Sequence, residues 1–381
     1  MKNGTIPHRV DEFWTAKQRQ ACSLHEVSYR ACFKPQLPRY FIDRYTKIGD
    51  VVYDPFTGRG TTIIEAALCG RNVISNDVSP LSRILTEPRL QVPSADEVAT
   101  RLESIQFQSN LHANIDLSMF YHPDTESEIV SLQQYLRQHH VDHTEDFIDR
   151  WLRMVATNRL TGHSPGFFSV YTLPPNQATT QDQQKRINEK RKQHPEYRAV
   201  RPIILKKSRQ LMKELTKEQR RNLSQAAERA IFLTGDARAT EEIADASVQL
   251  TVTSPPFLDI VNYSADNWLR CWFNTIDDRA IAKEITVTSK LDEWCAVMGS
   301  VMQELFRITR EGGWVAFEVG ELRKGTVKLE EQVIPLAQAA GFEPTEVLIN
   351  TQKFTKTANI WGVDNNTAGT NTNRIVVLSK E

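Results

Sequence analysis

Residues 51–77, VVYDPFTGRGTTIIEAALCGRNVISND, constrain the fold more than any other stretch of the chain. A short apolar run, Val51-Val52-Tyr53, closes on Asp54 and a loop with glycines at 58 and 60. Good helix formers at helical spacing follow from Thr61 to Cys69 and stop at Gly70, the residue type that helix C-termini favour. A second apolar run then ends in Asn76-Asp77. Strand, glycine loop, helix and strand, with an acid about twenty residues beyond the glycines, is the opening unit of a doubly wound α/β sheet. The loop is no phosphate-cradling P-loop, because G-x-x-x-x-G-K-[ST] is absent. The dinucleotide fingerprint also fails, since Ile63 stands where its third glycine would be.

The same strand grammar returns far downstream. Apolar runs at 230–237, 248–253, 313–319, 345–351 and 374–378 predict five more strands. Helices are expected over 36–47, 292–310 and 329–340, and the last two strands should pair antiparallel. Between the two halves, residues 87–229 are polar and helix-like, with candidate helices at 123–138 and 144–160. This reads as an insertion.

Lysines plus arginines equal aspartates plus glutamates at 47 each, so total charge says nothing about a polyanionic partner. The distribution says more, because positions 185–221 carry fourteen lysines and arginines against four glutamates. Five scattered cysteines without a C-x-x-C pair argue against a disulfide framework and a zinc site, and no H-E-x-x-H or other metal pattern occurs. No metal is expected. No apolar run approaches a membrane span, and the N-terminus lacks a signal-peptide core, so a cytoplasmic protein is expected.

Three acids, Asp54, Asp77 and Asp236, fall at the ends of successive predicted strands, and so would line one sheet edge, where such folds bind ligands. Gly58 and Gly60 allow close backbone approach there. Asp77, beside Asn76, could accept from two ribose hydroxyls, while Asp236 could accept from an adenine amino group with Ala237 supplying a backbone amide. On the same edge, the strand at 248–253 runs into Ser254-Pro255-Pro256-Phe257. The prolines cannot extend a sheet ladder; they hold a hydroxyl, carbonyls and a ring rigidly at its rim.

The set DPFTGRGTT, SND, GDA and TSPPF resembles the S-adenosylmethionine-dependent DNA amino-methyltransferases, most closely those that act on cytosine N4. The resemblance covers roughly residues 25–85 and 230–380. It implies a Rossmann-like seven-stranded methyltransferase sheet with an inserted, mainly helical lobe. Residues 1–86 would be the N-terminal cofactor-binding part, 87–229 a partly basic target-recognition lobe and 230–381 the catalytic part. By resemblance Phe56, Gly58, Gly60, Thr61 and Thr62 line the methionine and ribose side of S-adenosylmethionine, with Asp54 and Asn76 beside them. Asp77 takes the ribose, Asp236 and Ala237 take the adenine, and Phe33, Lys34 and Pro35 match an N-terminal cofactor motif. Arg59 stands where the family commonly has a small residue.

The quartet Ser254, Pro255, Pro256 and Phe257 would be catalytic. Hydrogen bonds from the target amine to the Ser254 hydroxyl and Pro255 carbonyl would draw its nitrogen toward a tetrahedral shape, with Phe257 stacking on a flipped base. The expected partner is double-stranded DNA, with a cognate restriction endonuclease as a further partner and no membrane. Adenine-N6 methylation, RNA base methylation and a non-catalytic nucleic-acid-binding relative are the alternatives. Tyr263 or Trp268 could wall the base pocket.

Overall fold

The computed structural model describes residues 6–14, 21–29, 32–172, 178–256, 263–284, 290–322, 327–351 and 372–381. Its strands are β1 (His8–Asp11), β2 (Val51–Asp54), β3 (Asn72–Asn76), β4 (Ile231–Leu233), β5 (Val248–Thr253), β6 (Thr309–Val319), β7 (Glu321–Leu322), β8 (Val327–Lys328), β9 (Glu343–Thr351) and β10 (Thr372–Ser379). Eight of them form one sheet in the order β1-β9-β10-β6-β5-β2-β3-β4, and β7 with β8 forms a separate ribbon. Every pairing in the large sheet is parallel except those of β10, which runs antiparallel to both β6 and β9. Apart from β1, this is the seven-stranded Rossmann-like methyltransferase sheet expected from the sequence.

The eighth strand, β1, was not expected. Its four residues are all exposed, so it has no apolar face to betray it in sequence. Backbone pairing with β9 holds it, and the Asn350 side-chain oxygen accepts from the Phe13 and Trp14 amides just beyond it at 2.8 and 3.2 Å.

Thirteen helices are described: α1 (Gln36–Tyr45), α2 (Thr61–Leu68), α3 (Pro80–Thr86), α4 (Ala95–Ser104), α5 (Pro123–Val141), α6 (Phe147–Arg159), α7 (Gln181–Arg191), α8 (Val200–Met212), α9 (Lys217–Ala227), α10 (Tyr263–Phe273), α11 (Asp278–Glu284), α12 (Leu291–Ile308) and α13 (Glu330–Ala340). Period-two alternation sends successive strand residues to opposite faces. On β10, Ile375 and Val377 join one core, while Val376 and Leu378 join the other. The second core lies under α12 and α13. The first packs α1 and α2 on the sheet, and Trp151, Leu152 and Val155 of α6, with Ile204 and Leu211 of α8, belong to it as well. The helices between β3 and β4 therefore bury their apolar side chains in the same core as the nucleotide-type unit.

Candidate active site

The carboxyl ends of β2, β3, β4 and β5 lie side by side and open onto one cavity. Asp54, at the end of β2, lines it and is almost wholly buried. The Thr253 hydroxyl at the end of β5 donates to its carboxylate at 2.6 Å, and the Phe56 amide donates at 3.1 Å. Burial pushes the Asp54 carboxyl up to about 7 against the opposing pull of these donors.

Asp77 follows β3. Its two oxygens each accept one backbone amide, from Gly58 at 2.8 Å and Ser79 at 2.9 Å. Burial raises this carboxyl to about 6, while the two amides pull it down. Each oxygen has a second lone pair to offer, and Asp77, Gly58 and Ser79 all line the cavity. Asn76 lines no part of the cavity; its side-chain amide donates to the Gly235 carbonyl at 3.1 Å and its backbone carbonyl accepts from the Thr57 amide at 3.0 Å, which ties the glycine loop to the loop after β4. Asp236 and Ala237 do line the cavity. Both carboxylate oxygens of Asp236 are engaged by the Arg238 guanidinium, which holds this carboxyl below its usual range.

The two glycines of the loop differ. Gly58 sits in the left-handed region (φ 54°) on the cavity wall, where a Cβ would meet the Tyr29 ring at an ordinary contact distance of 3.7 Å. Gly60 is also left-handed (φ 79°), but a side chain there would run into Thr86. Its role is packing, and it does not line the cavity. Thr61 lines the cavity, whereas the Thr62 hydroxyl points inward and donates to the Val252 carbonyl of β5 at 3.0 Å. Of the N-terminal trio only Phe33 lines the cavity; Pro35 is the N-cap of α1, and the Lys34 carbonyl accepts the Leu37 amide at that helix start.

Arg59, the departure from the family pattern, is buried at 6% exposure beneath the loop. Its guanidinium donates to the carbonyls of Val27 at 2.9 Å and Phe33 at 3.4 Å and to the Thr61 hydroxyl at 3.2 Å. Its own carbonyl accepts from the fully buried Arg89. Arg59 thus fastens Val27 and Phe33 onto the glycine loop, and Tyr29, Cys32 and Phe33 stand on the cavity wall.

Ser254 and Pro256 line the same cavity as Asp77 and Gly58; Pro255 is buried beside them, and Phe257 lies outside the described residues. The indole N–H of Trp294, from α12, donates to the Pro256 carbonyl at 3.1 Å. Trp294 itself lines the cavity, and nothing local in the sequence marks it. Trp268 does not wall the pocket: it donates to the Thr179 carbonyl at 3.2 Å and packs against Phe120, because its side of α10 faces the inserted helices. Asn267 and Cys271 are the α10 residues on the cavity, and the Tyr263 side chain lies outside the described set.

Among the described residues the cavity is lined by four carboxylates, Asp54, Asp77, Asp236 and Asp278, and by no lysine, arginine or histidine. Asp236 is already paired with Arg238 and burial raises Asp54 and Asp77, so the negative charge of this wall is modest, but it offers no cation to a phosphate.

The basic stretch at 185–221 is not one surface. Arg198 donates to the carbonyls of Ser164 and Phe167 at 3.2 and 3.1 Å and to that of Ser169. Arg201 donates to those of Leu102 and Ile105 at 2.9 and 2.7 Å, and Lys207 is buried beside Glu26. The Arg220 guanidinium reaches the Val92 carbonyl at 3.3 Å. These cations hold loops in place, so the expected positive field is narrower than the sequence suggests.

The fold and this site define a methyltransferase-type α/β protein. Residues 5–82 match the family model described as DNA methylase (N6_N4_Mtase). A Type II methyltransferase of Methanocaldococcus jannaschii, M.MjaII, is 41% identical over 63 residues, which is 16% of this chain and 12% of that protein. M.BsoBI of Geobacillus stearothermophilus is 36% identical over 69 residues, 18% of this chain and 14% of its own length. M.MvaI of Kocuria varians is 24% identical over 97 residues, 25% of this chain and 20% of its own. Together these matches support the DNA amino-methyltransferase family for this chain. They span a fifth or less of the length of each relative. Among solved structures, a TehB-like SAM-dependent methyltransferase from Corynebacterium glutamicum covers 90% of this chain and 87% of its own at 8% identity and TM-score 0.32. The rRNA methyltransferase aviRa from Streptomyces viridochromogenes covers 94% and 90% at 13% identity and TM-score 0.38.

Proposed function

We propose that the protein methylates the exocyclic N4 amino group of cytosine in double-stranded DNA, with S-adenosylmethionine as donor. The observation that carries this reading is the shared cavity: Ser254 stands on the same wall system as the Asp77 and Gly58 cradle. Such a donor would bring a methyl group on a positively charged sulfur, which suits a cavity with carboxylates and no cation among its described lining residues. Asp77, with a free lone pair on each amide-bound oxygen, would hold the ribose hydroxyls; Phe33, Phe56, Gly58 and Thr61 would flank the rest.

The amine of cytosine is a poor nucleophile because its lone pair is delocalised into the ring. Acceptance of its N–H groups by the Ser254 hydroxyl and the Pro255 carbonyl would localise that pair. Two prolines and the Trp294 bond to Pro256 fix the acceptors beforehand, so little reorganisation remains for the reaction. The base would have to leave the duplex stack to reach this wall, with residues 87–229 as the recognition region and a cognate endonuclease as the partner in a restriction-modification pair. The serine at the head of the quartet favours cytosine N4 over adenine N6.

Calorimetric titration with S-adenosylmethionine, alongside turnover on duplex DNA, tests the role assignment. Ser254→Ala should bind the donor as wild type does and turn over at least tenfold more slowly, whereas Asp77→Ala should lose donor affinity. Normal methylation by both variants would refute the assignment.

A further inference from the structure

Helix α7 carries cations of the basic stretch that remain available to a partner. It is nearly all polar, and Gln184 is its one buried residue. It is held by side-chain amides that donate to backbone carbonyls: Gln181 to Asp116 at 2.7 Å, Gln184 to Tyr171 at 3.1 Å and Asn188 to Met119 at 2.8 Å. These three anchors recur every three to four residues and so share one face. On the opposite face stand Arg186 and Lys190 with Gln183 and the single acid Asp182, all exposed. Among the described residues, neither the Arg186 guanidinium nor the Lys190 ammonium has a hydrogen bond or ion pair, whereas Lys185 leans on Asp116 and Arg191 stacks on Tyr171.

The start of α7 is also tied to the site. The Ala178 amide donates to the Asp266 carbonyl at 2.9 Å, and Trp268 donates to Thr179. Both partners belong to α10, whose Asn267 lines the cavity. Helix α9 lies elsewhere. Asn222 donates to the Leu68 carbonyl at the C-terminal end of α2. That end adjoins the amino-terminal starts of β2 and β3, where Gly49 bonds Gly70 and Asn72 bonds Asp50. The part of α9 around Asn222, including Arg221, is therefore near the edge of the sheet opposite the cavity.

We infer that the outer face of α7, through Arg186 and Lys190, lies against the phosphate backbone of the DNA whose base enters the cavity. A helix fastened by hydrogen bonds on one side, with unpaired cations on the other and a direct tie to the cavity-lining helix, has the charge and position for strand phosphates. This rests on the DNA reading above. Cations that neutralise phosphates release counterions and make binding salt-dependent.

The test is fluorescence anisotropy of a labelled mixed-sequence duplex with the full chain, titrated across salt, with S-adenosylmethionine binding measured in parallel. The Arg186→Ala/Lys190→Ala pair should weaken duplex binding and flatten the log–log salt slope by about 2, near 0.9 for each lost phosphate contact. Its donor binding should stay at the wild-type value, and Lys217→Ala/Arg221→Ala should leave affinity and slope unchanged. An unaltered slope in the α7 pair, or an equal loss in the α9 pair, would overturn the inference while leaving the DNA reading intact. Absence of duplex binding by the wild-type chain would refute the DNA reading itself and the inference with it.

Discussion

The Trp294 indole donates to the Pro256 carbonyl at 3.1 Å, which couples helix α12 to the loop after β5. The bond spans 38 residues of sequence and fixes one carbonyl of the Ser-Pro-Pro unit from outside it. Trp294→Phe keeps the ring and removes the donor. It should lower turnover by about tenfold, the equivalent of roughly one hydrogen bond, and leave donor affinity unchanged. Steady-state kinetics beside calorimetry would show the split, and an unchanged kcat would remove Trp294 from the positioning role.

Asp54 makes stability depend on pH in a definite direction. Its carboxyl lies at about 7 in the folded chain against an ordinary 3.8, and Asp77 lies at about 6. Below about pH 4 both groups are protonated, folded or unfolded. Between pH 4 and 7 the unfolded chain releases protons that the folded chain keeps, so stability falls as pH rises, and the loss is complete above 7. Asp54→Asn, which still accepts from Thr253, should be more stable than wild type at pH 8 by on the order of 4 kcal/mol and no different at pH 3. Denaturant unfolding at the two pH values measures this. Equal stabilities at pH 8 would contradict it.

Donor affinity should follow the protonation of Asp77. A protonated carboxyl loses acceptor capacity, so affinity should drop by roughly tenfold per pH unit below about 6. Asp77→Asn should bind more weakly and without that dependence. Calorimetry from pH 5 to 8 reads both.

The glycine loop gives a contrast between neighbours. Gly60→Ala must strain a left-handed backbone and displace Thr86, whereas Gly58→Ala carries only the backbone penalty. The first should cost several kcal/mol and the second about 1 to 2 kcal/mol, as thermal melting would report. Gly58→Ala should instead show its larger effect on donor binding.

Arg59→Ala should loosen Val27 and Phe33 from the loop and weaken donor binding about tenfold, with Arg59→Lys restoring part of it. An Ala variant with wild-type affinity would mean that the wall stands without this clamp.

Much of this site is visible in the sequence because its pieces are local. A buried strand, a glycine loop and a helix start within residues 51–69 need no distant partner to be recognised, and the GDA and SPP segments follow strands of the same grammar. What escapes is tertiary. Trp294 reads as one more apolar residue of α12 until the fold sets it against Pro256. Strand β1 has no apolar periodicity because only its backbone is bonded. A run of positive charge reads as a surface, yet Arg198 and Arg201 turn inward to carbonyls that the sequence cannot place beside them. Gly60 reads as part of a ligand loop, although Thr86 is what its missing side chain accommodates.

Nucleoside mass spectrometry of duplex DNA incubated with the full chain and isotope-labelled S-adenosylmethionine tests the central claim most directly. Labelled N4-methylcytosine, lost in the Ser254→Ala variant, is the predicted product. Labelled N6-methyladenine in its place, or an unlabelled digest from a chain that binds both donor and duplex, would contradict the account.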